Sequence, residues 1–423
     1  MKIALINTSE KIGGAAVACN RLMKALNKSG HEACMLVRDK QTDDEQVISV
    51  NTSWFAQKKN VLRFAWERLI IFLQNGLTRK NLFAVSIANT GVDISDHPVV
   101  KEADIIHLHW VNQGMLSLKG IRKLIQTGKP IVWTLHDMWP ITGVCHHSWE
   151  CLKFHQFCGT CPFVKYPKQN DVSRKIWCKK KNVYDIKQMT LIAVSRWLKD
   201  QIDISSLSKG VSTKVIPNVI DTDFFVPLNK SMLRKKQNLP VDKKIILFAA
   251  AKINDPIKGF HFLCEAMRIL IKENQPDSFF ILILGNIKGD ISILSQLSCP
   301  YKFYGTLNDI NSIRDLFAAA DVVLNSSYYE TFGQTLIEAM SCGAIPVAFN
   351  NSGVKDIIDH KINGYLAKYK SAEDLANGIR WILFDADYEV LSKNARKKVE
   401  LNYSENVIAQ QYLDVYSELM AKR

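Results

Sequence analysis

Short apolar runs alternate with longer helix-period segments along almost the whole chain. They fall at 2–6, 33–37, 105–107, 131–134 and 190–194, then at 245–249, 279–284, 301–304, 322–324 and 345–348. A strand apolar on both faces belongs in a parallel sheet covered by crossover helices. The 423 residues exceed what one such core usually holds. The expectation is an α/β chain with two doubly wound, Rossmann-like domains facing a central cleft. Ligands of such sheets bind outside the carboxyl ends of the strands, so the loops after the runs are where chemistry is sought. The join is placed near Ile216-Pro217-Asn218-Val219, giving domains 1–215 and 216–403. Residues 404–423 show helical spacing at Val407, Ile408, Tyr412, Val415 and Leu419, and are expected to pack back on the first domain.

The loop after 322–324 carries the densest chemistry. Glu330 lies in a strand-to-helix loop and Glu338 lies inside the helix that follows. Between them Phe332, Gly333, Gln334 and Thr335 place backbone N–H groups at a helix N-terminus, which attracts phosphate. Carboxylates accept hydrogen bonds from sugar hydroxyls. Taken singly, each glutamate reads as an ordinary solvated side chain. Together with the amide cradle, the pair suits a nucleotide diphosphate-sugar.

These two glutamates, with Phe332-Gly333 and the later Gly343-Ala344-Ile345-Pro346-Val347, resemble the donor-site signature of retaining glycosyltransferases of family 4. The resemblance covers nearly the whole chain and is densest over 251–366. It implies the GT-B architecture, a second domain that binds the donor and a first that binds the acceptor. By that resemblance Glu338 holds the ribose hydroxyls, and Glu330 contacts the sugar or its leaving-group region. Lys258-Gly259 matches the family's Lys-Gly, with Lys258 on the diphosphate. The family's usual Arg is absent, and Lys252 is the nearest substitute. Gly13-Gly14 matches a loop near the donor phosphates and the acceptor. His136 takes the place of a histidine beside the transferred sugar, with His109 in support and Asp137 on the acceptor side. The implied activity is sugar transfer with retention, without a required catalytic metal, to a glycan or lipid-linked acceptor in cell-surface polysaccharide synthesis. A nucleotide-sugar epimerase of the same architecture and a non-catalytic nucleotide-sugar-binding protein are the alternatives.

Charge narrows the partners. Lys and Arg number 55 and Asp and Glu 41, a formal net charge of +14, which favours anionic partners. No nucleic-acid-binding pattern accompanies the basic clusters, so nucleic acid is not expected. A solvated face is the default for each of Arg174-Lys175, Lys179-Lys180-Lys181 and Arg234-Lys235-Lys236, and it is the reading kept for Arg234-Lys235-Lys236. Residues 54–80 mix Trp54, Phe55, Phe64, Trp66 and Phe72 with Lys58, Lys59, Arg63, Arg68, Arg79 and Lys80. A core-facing helix with a charged back is the commoner reading of such a mixture. A helix lying in an acidic membrane surface is the other. No run is apolar enough to span a bilayer, and Met1 to Asn7 reads as a first strand rather than a signal peptide. The expected location is cytoplasmic, extending to the inner face of the plasma membrane if the interfacial reading holds.

Cys145, Cys151, Cys158 and Cys161 fall close together in a segment rich in His, Pro and Trp, an apparent insertion near 145–161. Cys158-Gly159-Thr160-Cys161 has the spacing of zinc knuckles. In a reducing compartment clustered thiols more often hold metal than form disulfides. A structural zinc is one expectation; a redox pair or plain thiols is the other, and His146, His147 and His155 are rival ligands.

Overall fold

The structure, a computed structural model, describes residues 1–51, 53–185, 187–273 and 278–422. The chain divides into two compact units, Met1–Pro217 with Ile408–Arg423, and Asn218–Val407.

The first unit is built on β1 (Lys2–Ser9), β2 (Glu32–Asp39), β3 (Val47–Ser49), β4 (Ile105–Leu108), β5 (Ile131–Leu135), β6 (Met189–Ala193) and β7 (Ser212–Val215). Their spatial order is β3-β2-β1-β4-β5-β6-β7, and every recorded pairing is parallel. The second unit holds β8 (Lys244–Lys252), β9 (Phe279–Asn286), β10 (Tyr301–Phe303), β11 (Val322–Asn325), β12 (Ile345–Phe349) and β13 (Tyr365–Ala367). Its order is β10-β9-β8-β11-β12-β13, again parallel. In both sheets the chain starts in the middle and reverses direction once. The reversal lies between β1 and β4 in one unit and between β8 and β11 in the other, and such a switch point opens a ligand crevice.

The central strands form because both faces are covered. On one face Ile246, Phe248, Ile281 and Ile283 share a buried cluster with Leu263 and Met267 of helix Phe260–Glu273 and Leu375 and Ile379 of helix Ala372–Arg380, and on the other face Ile245, Leu247 and Leu282 are equally buried. Burying each such side chain stabilises by about 1.5–3 kcal/mol.

Two sequence expectations are corrected here. Helix Trp54–Gln74 does not turn an apolar face inward and a charged back outward. Its buried residues are Asn60, Glu67, Arg68 and Ile71. Phe55 (77% exposed), Leu62 (68%) and Trp66 (52%) point to solvent, with Leu69 and Leu73 continuing the stripe. The inward charges engage one another and the backbone. Glu67 Oε1 accepts from the amides of Ile87 and Ala88 at 2.8 and 2.9 Å. Arg68 pairs with Glu67 at 3.0 Å and donates to the carbonyls of Leu82 and Val85. The cluster Arg234-Lys235-Lys236 is likewise not simply a solvated face. Arg234 is buried, donates to the carbonyls of Ala319 and Lys243, and pairs with Asp321 at 2.7 Å. Its guanidinium ties helix Lys230–Lys236 to the start of β11.

Candidate functional site

In the second unit, the loops after β8 and β11 meet at the switch point. The first runs through a short turn, Pro256–Lys258, and closes on Gly259. Gly259 has φ 65°, and a Cβ there would lie 2.1 Å from the carbonyl oxygen of Ser326. Only glycine permits that approach. Ser326 in turn donates through Oγ to the carbonyls of Lys258 and Gly259, at 3.2 and 2.8 Å. The two loops are thereby locked, and Lys258 Nζ meets Glu330 Oε1 at 2.6 Å.

Glu330 is the most constrained carboxylate of this region. Burial would push its carboxyl up, but the charge and hydrogen bond of Lys258, with bonds from Ser327 and Asn325, hold it below the usual glutamate range. Ser327 Oγ donates to the same oxygen at 2.9 Å. The backbone is held as firmly. The Glu330 amide donates to Ser352 Oγ at 3.1 Å, and its carbonyl accepts from the Gly353 amide at 2.9 Å.

Three residues on, helix Gln334–Ser341 begins on Gly333, at φ 118°, with no side-chain cap and no acidic residue in its first turn. Helix Gly14–Lys28 of the first unit begins in the same way on Gly13, at φ 92°. Most other helices start on a Ser, Asp or Asn whose side chain accepts from the first turn, as at Ser117, Asp171, Ser195, Asn229, Asp309 and Ser371. Two helix starts thus carry a positive dipole end with no capping side chain at the N-cap position. Phe332 anchors the loop before Gly333, packing edge to face on Tyr403 with 5.6 Å between centroids. Glu338 sits within the helix and is buried. Lys252 ends β8 and is exposed to solvent, so the structure gathers Lys258 and Glu330 but not Lys252.

In the first unit, His109 follows β4 and His136 follows β5. His109 Nδ1 and His136 Nε2 are 2.9 Å apart, with the rings stacked. Behind them His107, on β4, bonds through Nδ1 to Tyr416 Oη at 2.7 Å and through Nε2 to Thr134 Oγ1 at 2.8 Å. Thr134 also contacts Tyr412 Oη at 2.9 Å. Burial lowers all three imidazole pKa values, to about 3 for His107 and about 4 for His136, with His109 well below its ordinary value. The rings are therefore neutral near pH 7, and hydrogen bonding fixes their tautomers.

Asp137 is engaged by the protein itself. Its carboxylate accepts from Trp110 Nε1 at 2.7 Å and from the Trp139 amide at 2.8 Å, and pairs with His146 Nδ1 at 2.7 Å. Burial opposes its ionisation, but the nearby His146 and these bonds depress its pKa to about 2. Its evident task is to brace the turn that carries His136. Cys145, Cys151, Cys158 and Cys161 are free thiols lining one small cavity. Among the described residues no three His, Cys, Asp or Glu side chains already stand as a metal shell.

Sequence reasoning missed Ser327, which with Ser352 fixes Glu330, and the contacts by which Tyr412 and Tyr416 stand behind the histidines. Ser326-Ser327 directly after a strand was the available signal for the first of these. Nothing local marked the tyrosine contacts.

Comparison with known proteins agrees with this anatomy. Residues 12–224 match the profile described as Glycosyltransferase Family 4, and residues 229–398 that described as Glycosyl transferases group 1. An uncharacterized glycosyltransferase of Methanocaldococcus jannaschii is 25% identical over 99% of both chains. A UDP-Gal:alpha-D-GlcNAc-diphosphoundecaprenol alpha-1,3-galactosyltransferase of Escherichia coli is 24% identical over 49% of this chain and 55% of its own. Among solved structures, sucrose-phosphate synthase from Thermosynechococcus elongatus superposes with a TM-score of 0.68 at 20% identity, covering 100% of this chain and 99% of its own. Anabaena HepE in complex with UDP-glucose gives 0.63 at 18%, covering 99% and 100%. The fold they share is GT-B.

Proposed function

The chain belongs to glycosyltransferase family 4, and from that premise we propose that it moves a sugar, with retention, from a nucleotide diphosphate-sugar to a glycan or lipid-linked acceptor in cell-surface polysaccharide synthesis. One observation carries the donor side of this reading: the Lys258–Glu330 pair at the β8/β11 switch point, beside a helix start without a side-chain cap. In the free protein Glu330 neutralises Lys258. An incoming diphosphate competes for that ammonium and for the amides at Gly333 and Gln334. As the glycosidic bond breaks, negative charge grows on the leaving diphosphate, and fixed donors aimed there lower the barrier. Glu338 takes the ribose hydroxyls and Glu330 the sugar side. His136, kept neutral, offers the sugar a hydrogen bond rather than a charge.

The acceptor side is supported by relatives. The name of the Escherichia coli relative specifies a diphosphoundecaprenol carrier. The outward stripe of Phe55, Leu62, Trp66, Leu69 and Leu73, bordered by Lys58, Lys59 and Arg63, suits an anionic bilayer surface where such a carrier resides. No helix among the described residues is long and apolar enough to cross a membrane. Docking at the cytoplasmic leaflet is therefore interfacial.

Nucleotide binding is the test. Thermal melts with UDP, ADP, GDP and their sugars should show one diphosphate family raising the Tm. Glu338→Ala should weaken that shift. Lys258→Ala should lower kcat by about 100-fold, the size of effect seen when one transition-state donor is lost. Its own melt must be recorded, because the change strands a buried carboxylate. If no nucleotide shifts the Tm and both variants keep wild-type kcat/KM, the reading fails.

A further inference from the structure

The four clustered cysteines are not explained by sugar transfer. They sit in residues 142–171, where the only helical turn among the recorded elements is Lys153–His155. An irregular stretch of that length in a compact domain needs something to hold it. A small domain lacking enough core commonly uses a bound metal for this.

The geometry supplies the place. Cys145, Cys151, Cys158 and Cys161 all line a single cavity of about 10 Å³, with Val144, Phe154, Phe163, Lys153, Ser148 and Ser173 among its other walls. That is room for one small occupant and not for an iron–sulfur cluster. Cys145, Cys158 and Cys161 are buried, and all four thiols are unbridged.

Two of the four sulfurs already accept hydrogen bonds from backbone amides. The Gly143 amide donates to Cys158 Sγ at 3.2 Å, and the Phe163 amide donates to Cys161. A thiolate accepts such bonds far better than a thiol does. Residue 143 must be glycine for this approach, since a Cβ would lie 3.1 Å from that sulfur and 2.4 Å from the Ser173 carbonyl oxygen. Between the two sulfurs Gly159 and Thr160 both take positive φ, 146° and 45°, folding Cys158–Cys161 into a tight knuckle. The knuckle is pinned by the Cys161 amide on Asp171 Oδ2 at 2.7 Å and the Thr160 amide on the Lys168 carbonyl at 2.8 Å. A buried lysine stands by: Lys180 donates to the carbonyls of Trp139 and Thr142, and burial pushes its ammonium well below the usual lysine range.

We propose that Cys145, Cys151, Cys158 and Cys161 bind one Zn²⁺ as a structural centre. The thiols do not stand as a finished shell. A cysteine has one side-chain torsion, however, and a step between staggered wells moves its sulfur by about 3 Å. Side-chain rotation is thus the movement by which four sulfurs lining one void would be drawn toward an ion. On binding, the thiols give up their protons to solvent and four Zn–S bonds form. The resulting centre carries two negative charges, offset in part by the amide donors. With all four positions filled by sulfur, zinc has no open site and takes no part in sugar transfer. Its effect reaches the active region mechanically. His146 bonds Asp137 and accepts at its carbonyl from the Met138 amide, and the Cys145 backbone bridges Val85. A stapled 142–171 segment holds the turn that presents His136.

Metal analysis of the full chain, purified with zinc present and without chelator, tests this. The expected result is about one zinc per chain, which falls to background in Cys158→Ser/Cys161→Ser and stays in Cys178→Ser, an exposed cysteine outside the cluster. If the double variant does not fold, the wild type decides alone. Replacing zinc by Co²⁺ should give the thiolate-to-cobalt absorption of a tetrahedral sulfur site, and a strong chelator should lower the Tm. No zinc with all four thiols freely reactive in the native state, a Cys158–Cys161 disulfide, or iron in place of zinc would each overturn the proposal.

Discussion

Lys258 and Glu330 are 72 positions apart, and each lies in a loop that its neighbours already mark as chemically equipped. Their contact at 2.6 Å was not legible, because it depends on β8 and β11 lying side by side. The histidines teach the same lesson more sharply. His107 looked like one more strand residue, yet its partner Tyr416 is 309 positions away. A measurable consequence follows for pH. The unfolded chain binds protons to its imidazoles near pH 6.5, whereas native His136 does so near 4 and His107 near 3. Between those limits the unfolded state holds more protons, so stability rises with pH there. It is complete above 6.5 and declines as pH falls toward 4 and then 3. His97 and His360, also lowered by burial, act in the same direction. Melts from pH 7.5 to 5, above the range where most carboxylates titrate, should show a steady fall in Tm. A flat profile would mean that these rings are not held neutral.

Elements were read best where both faces of a strand are covered. Each of the ten apolar runs falls on a strand, but the short strands Val47–Ser49 and Tyr365–Ala367 escaped notice, and Ser212–Val215 was marked only by its end near Ile216. Each is a sheet edge, where one side has no partner strand and the residues need not be apolar. The helix Trp54–Gln74 was misjudged for a different reason. Periodicity locates a stripe but not which way it faces, and here the polar stripe is the buried one because Glu67 and Arg68 find amide and carbonyl partners inside. An inverted helix has a cost in water unless something covers it. Leu62→Ser with Trp66→Ser should reduce sedimentation with vesicles containing anionic lipid by roughly tenfold, since losing apolar contact worth about 1.4 kcal/mol is a factor of ten. The same variant should leave nucleotide binding unchanged. Wild-type protein that ignores anionic vesicles altogether would remove the bilayer from the account.

Across the molecule, the chain passes out of the first unit at Pro217 and returns to it at Ile408. Helix Glu405–Ala421 places Tyr412 and Tyr416, both buried, against Thr134 and His107. Helical spacing at Tyr412, Val415 and Leu419 was visible in the sequence, but the polar contacts beneath it were not. Removing residues 408–423 should strip two large side chains, worth about 1.5–3 kcal/mol each, from the first unit. The expected result is a lower-temperature melting step for that unit, with the second unit's step retained, read by calorimetry. A single unchanged transition would show that the returning helix adds nothing to stability.

That return passage also sets a schedule for biosynthesis. Every residue of the central body, 218–407, has emerged from the ribosome before Ile408 appears, so this body can close while translation continues. The leading body must wait, its two tyrosine sockets beside His107 and Thr134 still vacant, until the trailing helix arrives. The part of the polypeptide made first is thus the part finished last.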